Sequence, residues 1–264
     1  MAKSEKGRRR NRRREGTAGT GRRRERSKSE RAGKTDRRPR ESGALEWLKS
    51  LAVALVLFLV LRAFVVQTFV ITSGSMEDTL LVGDMLLVNR LAMGSAVPGL
   101  DIRIPGYSEP ERGDILVFDP PHEETLMLIK RLVGVPGDTL AMRDRVLHLN
   151  GEPVDEPYVR HDPVDDERHP WMRWQRDYLV ADVDPSTYAP TRDNWGPIVI
   201  PEGRYFMLGD NRERSLDSRY WGLLERWRLE GRAVFTYFSY NRDSHRPFPA
   251  LREIRWDRIG RAID

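Results

Sequence analysis

The stretch LMLIKRLVGV, Leu126–Val135, sets one cationic pair inside an otherwise apolar run. Read with a two-residue period, Leu126, Leu128, Lys130 and Leu132 share one face, and Met127, Ile129, Arg131 and Val133 share the other. Working outward, similar short segments lie between clusters of Gly, Pro, Asp and Asn. They are FVI (69–71), MLLVN (85–89), ILVF (115–118), LAMRDRVLHLNG (140–151), PIVI (197–200), YFML (205–208), GRAVFTYFSY (231–240) and IRWDRIGRAI (254–263). The only helical period in this region is a short one over Ser218–Arg228. The expected fold class is mainly β: an antiparallel β body, 67–152 and 197–264, interrupted at 153–196 by a smaller inserted subdomain rich in Pro, Asp and Arg.

The net charge of +5 hides two opposed parts. Residues 1–40 carry 18 Lys or Arg against 5 acidic residues, so the remaining body is net negative. From Lys6 to Gly43 there is no aromatic residue and no Val, Ile, Leu or Met. Residues 1–44 therefore read as a disordered basic tail, because the chain there cannot bury enough apolar surface to offset its own ordering. Nucleic acid is not an expected partner: the tail has no interleaved aromatics, and the body repels phosphate.

Between tail and body lies LEWLKSLAVALVLFLVLRAFVV, 45–66. Its uninterrupted apolar core, Leu51–Leu61, is shorter than the roughly 20 residues of a spanning helix. The window Trp47–Val66 reaches that length, with Lys49 and Arg62 near its ends, where long cationic side chains snorkel to the headgroups. The reading is one transmembrane helix at 45–66. The arginine block before it places the N-terminus in the cytoplasm and the body on the exported side.

Cysteine is absent, which removes disulfides and thiolate chemistry. The five histidines, His122, His148, His161, His169 and His245, lie in connections or in a small hairpin, and no metal-ligand spacing occurs. A serine nucleophile in ITSGSMEDTL, 71–80, would thus need another base. Lys130 offers one if burial strips its hydration and lowers its pKa; periodicity alone favours a snorkelling edge-strand lysine. The stretch MLGDNRERSLDSRYWG, 207–222, packs nine polar or charged residues into Asp210–Arg219. It reads either as a solvated loop or as a network fixing backbone beside a site.

Taken together, SGSM..TL..GD, GDILVF, KRLVGVPGD, GDNRERSLDSRYWG and IRWDRIG stand in an order that resembles the type I signal peptidases, serine-lysine endopeptidases of bacterial membranes. The resemblance implies a Ser75 nucleophile, a neutral Lys130 general base, and Ser73 as a hydroxyl donor to the oxyanion. It implies Ser215 as the residue orienting the amine, with Asp210, Asn211, Arg212, Asp217 and Arg219 in support. Phe69, Ile71, Met76, Leu80, Leu128 and Ile129 match the wall of the substrate pocket. The implied activity is removal of signal peptides after small-x-small (Ala-x-Ala) sites, without cofactor or metal. Implied partners are preprotein signal peptides, anionic phospholipid and the export machinery; a dedicated pilus or conjugation substrate is the alternative. Two departures stand out. Thr72 and Asp78 occupy positions where the resemblance expects proline, so the nucleophile turn is expected to lose rigidity.

Overall fold

The computed structural model describes residues 43–62, 66–96, 102–123 and 126–263. The basic tail expected at 1–44 lies almost wholly outside the described residues. The chain divides into a unit ending at Trp47 and a larger one, Leu48–Asp264. A helix, α1, runs Gly43–Val60, and Leu61 and Arg62 continue it as a wider turn. Its 18 residues rise about 27 Å, slightly less than a bilayer's hydrocarbon thickness. No described helix is long and apolar enough to cross a membrane. Of the expected span of 45–66, α1 takes in Leu45–Val60, and Val66 opens the first strand.

Thirteen strands follow among the described residues: β1 (Val66–Val70), β2 (Asp84–Asn89), β3 (Gly94–Ala96), β4 (Arg103–Pro105), β5 (Ile115–Phe118), β6 (Leu128–Gly134), β7 (Thr139–Arg143), β8 (Val146–Leu149), β9 (Glu152–Pro153), β10 (Trp195–Val199), β11 (Arg204–Leu208), β12 (Leu224–Glu225) and β13 (Leu229–Ser239). Seven form one antiparallel sheet in the order β1-β2-β13-β5-β6-β11-β12, and four form a second in the order β10-β7-β8-β9. β3 and β4 pair as a small ribbon. Register shifts in β13 let its eleven residues pair with β5 at one end and β2 at the other, bending the large sheet.

Local chemistry explains the connections. β8 and β9 are joined by Asn150-Gly151, both at positive φ, which matches the right-handed strand twist. Every residue of β5 is buried, as its unbroken apolar run requires. Two apolar clusters lie against the large sheet. One gathers Leu116, Phe118, Leu132, Met207 and Leu229; the other gathers Ile71, Met76, Leu80, Leu86, Val88, Ile115 and Val117. A third joins Leu140, Met142, Trp195 and Ile198 of the small sheet to Phe206, Leu208 and Met172. Met172 comes from a nine-residue 3₁₀ stretch, Pro170–Tyr178, the only helical turn described between β9 and β10.

Two expected elements differ. Ser218–Trp221 is a single helical turn, stopped by Gly222 at φ +100, and the residues expected to prolong it form β12 and a 3₁₀ turn at Arg226–Arg228. Residues 254–263, expected as a strand, form a 3₁₀ turn at Trp256–Arg258 flanked by isolated bridges to Tyr240 and Phe235. The cause is Arg258. It is buried, and its guanidinium grips both oxygens of Asp84 at 2.6–3.1 Å and donates to the Thr79 carbonyl at 2.8 Å. Ser239 Oγ donates to Asp84 at 2.6 Å, so the C-terminal turn is tied to the start of β2, just after the Ser75 segment.

Candidate active site

Ser75 lies in a 3₁₀ turn, Gly74–Met76, that follows an extended Ser73. The turn is fixed at both ends. Ile71 N–H donates to Asp84 O at 2.8 Å upstream, and Leu80 N–H donates to Met76 O at 2.6 Å downstream. In the middle, Asn211 N–H donates to the Ser75 carbonyl at 3.1 Å. Asp78 adopts φ +77, a conformation closed to proline; the departure from the expected proline is therefore a change of turn geometry as well as a lost constraint.

Lys130 comes from the middle of β6, and its Nζ lies 2.6 Å from Ser75 Oγ. The lysine is 2 % exposed and the serine 6 %, which sets aside the snorkelling alternative: this amine does not reach bulk water. Burial pushes the Lys130 pKa down to about 8, opposed by the negative charges of Asp217 and Asp210 and assisted by Arg219. About half of the amine is therefore unprotonated near pH 8 and about a tenth at pH 7, within hydrogen-bond reach of the Ser75 hydroxyl. Ser73 Oγ is 3.4 Å from Ser75 Oγ, on the same extended approach.

Around this pair lies a buried charge network. Asp217 holds Arg219 through two hydrogen bonds, each 2.8 Å, and also accepts from the Gly209 N–H at 3.2 Å. Burial pushes the Asp217 carboxyl up, but Arg219 and the hydrogen bonds outweigh it and hold the group below the usual carboxylate range. Arg219 Nη2 donates to the Arg212 carbonyl at 2.6 Å, and Arg212 donates to Gly209 O at 3.2 Å and Glu156 at 2.7 Å. Asp210 accepts from Arg131 at 2.9 and 3.0 Å and from Thr79 Oγ1 at 2.6 Å. The polar stretch 210–219 is thus a network and not a solvated loop.

The structure brings together Ser73, Ser75, Lys130, Asp210, Asn211, Arg212, Asp217 and Arg219. Ser215 is buried but makes no hydrogen bond to Lys130; its hydroxyl lies near enough to Asp217 to help lower that carboxyl, yet has no partner in good geometry among the described residues. It packs on Gly209, where a Cβ would meet Ser215 Oγ at 2.2 Å and the Ser75 carbonyl at 2.5 Å, so only glycine fits. Of the expected pocket residues, Ile71, Met76 and Leu80 are buried in one apolar cluster, with Phe69 and Ile129 packed against it. Leu128 packs with the other cluster of the large sheet, beside Leu116 and Phe118. Sequence reading missed Thr79, Arg131, Glu156 and Arg258, whose partners are distant in the chain. Among the described residues no group of His, Asp and Glu is arranged to hold a metal ion.

The family described as signal peptidase, peptidase S26, matches residues 44–238. The chain belongs to this family. Signal peptidase I of Pseudomonas aeruginosa is 41% identical over 187 residues, 69% of this chain and 64% of that protein. Signal peptidase I of Bacillus licheniformis is 33% identical over 203 residues, 76% of this chain and 92% of that one. Signal peptidase I S of Bacillus subtilis is 30% identical over 203 residues, covering 76% and 93%. The chain thus spans 64% of the Pseudomonas relative but nearly the whole of the Bacillus ones. The S26 match includes α1, Ser75, Lys130 and the 209–222 network. It ends before the turn that carries Arg258, although IRWDRIG contributed to the resemblance read from the sequence.

Proposed function

We propose that the chain is a membrane-anchored serine endopeptidase that removes signal peptides from exported preproteins after small-x-small sites. The observation that carries this reading is the buried Lys130 amine 2.6 Å from the Ser75 hydroxyl, inside the region of the family match. Neutral Lys130 takes the Ser75 proton as Oγ bonds to the scissile carbonyl carbon. The resulting oxyanion is held by the Ser75 N–H and the Ser73 hydroxyl. The Lys130 ammonium then gives its proton to the leaving amine, and the peptide C–N bond breaks to leave an ester on Ser75. Water, deprotonated by Lys130, attacks that ester and restores the hydroxyl. Asp217 and Arg219 neutralise one another beside the amine, while Asp210, Asn211 and Arg212 hold the loop against the Ser75 carbonyl.

In this reading, residues 1–44 are a cytoplasmic basic tail attracted to anionic phospholipid, 45–66 the anchor, 67–152 and 197–264 the catalytic body, and 153–196 an accessory segment. The substrate meets the site as an extended strand, with its small side chains selected by the apolar cluster around Ile71 and Ile129. Coupling to the export machinery follows from where such substrates emerge. A dedicated pilus or conjugation substrate remains the second reading, favoured only by the altered turn at Asp78.

The test is cleavage of a preprotein carrying Ala-x-Ala by the full chain in lipid vesicles, with kcat/KM followed from pH 6 to 11. Below about pH 8 the rate is expected to fall tenfold per unit, and above it to level off, because the base works only when unprotonated. A flat profile over that range would remove the neutral-amine base.

The same titration bears on stability. An amine with a folded pKa of about 8 and an unfolded one near 10.4 binds fewer protons when folded, so stability rises with pH between the two values. Below pH 8 the full cost, about 3 kcal/mol, is present. Lys130→Met is therefore expected to raise the urea midpoint at pH 7, with a gain that shrinks by pH 10.5. An equal change at both pH values would show that the gain came from packing alone.

A further inference from the structure

Residues 154–194 contain no strand, yet they grip the 209–222 loop at both ends. At its start, Arg160 N–H donates to Asp210 O at 2.9 Å, and Arg212 N–H donates to Arg160 O at 3.1 Å. Asp162 N–H donates to Glu213 Oε2 at 2.8 Å. At its end, two side chains converge on one acceptor. The Trp174 indole N–H at 3.2 Å and the Gln175 side-chain amide at 3.1 Å both donate to the Arg219 carbonyl.

That carbonyl needs them. Ser218–Trp221 is one helical turn, and a turn so short leaves its carbonyls without partners in the helix. Gly222 turns to φ +100 and gives its N–H to Ser218 O. Arg219 O is capped instead from another part of the chain. Gln175 is fully buried and its amide is satisfied at both ends: its oxygen accepts the Tyr188 hydroxyl proton at 2.5 Å, and the Tyr188 oxygen accepts the Gly196 N–H at 2.7 Å. A buried amide is costly unless bonded, so an apolar side chain of similar size would fill this space at less cost if filling were its whole role. The Trp174 ring also lies 3.7 Å from the position a Cβ would take on Gly222, closing the turn from outside.

We propose that Gln175, assisted by Trp174, is a positioning residue for the Ser75–Lys130 pair: it fixes the Arg219 main chain, and through the Asp217–Arg219 ion pair it keeps the surroundings of the lysine amine rigid and dry. This rests on the reading of Lys130 as the base. The groups facing that amine are Asp217 and Asp210 on one side of the balance and Arg219 on the other. Arg131 neutralises Asp210, and Glu213 and Tyr220 act on Arg219. Burial is the largest influence on the amine, so loosening the Arg219 main chain admits water and lets Lys130 hold its proton to higher pH.

The experiment uses the full chain in lipid, comparing unmodified protein with Gln175→Met and Trp174→Phe. Three quantities are read: the thermal midpoint, the pH dependence of kcat/KM, and the titration of Lys130 by NMR of ¹³C-labelled lysine, assigned with Lys130→Met. For Gln175→Met, the acidic limb and the NMR midpoint are both expected to move up by about one pH unit. At pH 7 that is about a tenfold loss of kcat/KM, recovered at higher pH. Trp174→Phe keeps an aromatic ring but loses the indole N–H and part of the ring area, and should move both in the same direction by less. A lower thermal midpoint with both titrations unmoved would mean a purely structural role and would overturn the proposal. If Gln175→Met does not fold, Trp174→Phe decides, and an unmoved NMR midpoint there also overturns it. Undiminished cleavage by Ser75→Ala would instead sink the proposed function, while the NMR titration would still judge the role of Gln175.

Discussion

Ser75→Ala and Lys130→Met are each expected to lower kcat/KM for preprotein cleavage by at least about 10³-fold, with the fold intact. The two effects should not add. Ser75 Oγ has its nearest proton acceptor in Lys130 Nζ, 2.6 Å away, so either change removes the same proton transfer, and the double variant should be about as slow as either single one. Lys130→Arg belongs to the same set. Its guanidinium stays charged, so it cannot accept the serine proton, and no rescue is expected up to pH 11. The measurement is single-turnover cleavage with circular dichroism as the fold control. If Lys130→Met retained full activity, some other group would have to accept the proton, and the pairing seen in the fold would be incidental.

The second large effect is on stability. Arg219→Met is expected to cost about 3–5 kcal/mol, because it leaves the Asp217 carboxylate buried without its counter-charge. Asp217 would keep the Gly209 N–H, but it would lose both 2.8 Å bonds from the guanidinium, and the Arg212 carbonyl would lose its 2.6 Å donor. Adding Asp217→Leu should restore part of the loss, since an apolar pair carries no desolvation cost. Urea unfolding of the unmodified chain and the two variants gives the comparison. A single Arg219→Met variant as stable as the unmodified chain would mean that water reaches this pair in solution.

Much of the fold could be read from two-residue alternation. Ile115–Phe118, Tyr205–Leu208 and the long run ending at Ser239 are strands because apolar residues alternate or run unbroken between turn formers. The Lys130 strand was legible for the same reason, but the burial of its charge was not: alternation alone favoured a snorkelling edge-strand lysine, and the buried base was implied by the family resemblance. The reading failed where a distant partner overrides local pattern. The alternation in 254–263 is as good as that of real strands, but Asp84 captures Arg258 and folds the segment into a turn. Residues 154–194 gave no periodic signal because much of their grip on the loop uses backbone carbonyls and amides, which every sequence possesses, and the side chains that join in, Glu156, Trp174 and Gln175, follow no period. Arg131 was placed correctly on its strand, yet nothing in the pattern pointed to Asp210, 79 positions along the chain.

The left-handed backbone at Asp78 bears on how this sequence can change. A proline ring there would demand the opposite sign of φ, so a single substitution toward the commoner motif would meet a barrier instead of adding rigidity. Proline at this position is thereby closed to a single change and becomes open only if neighbouring backbone shifts as well.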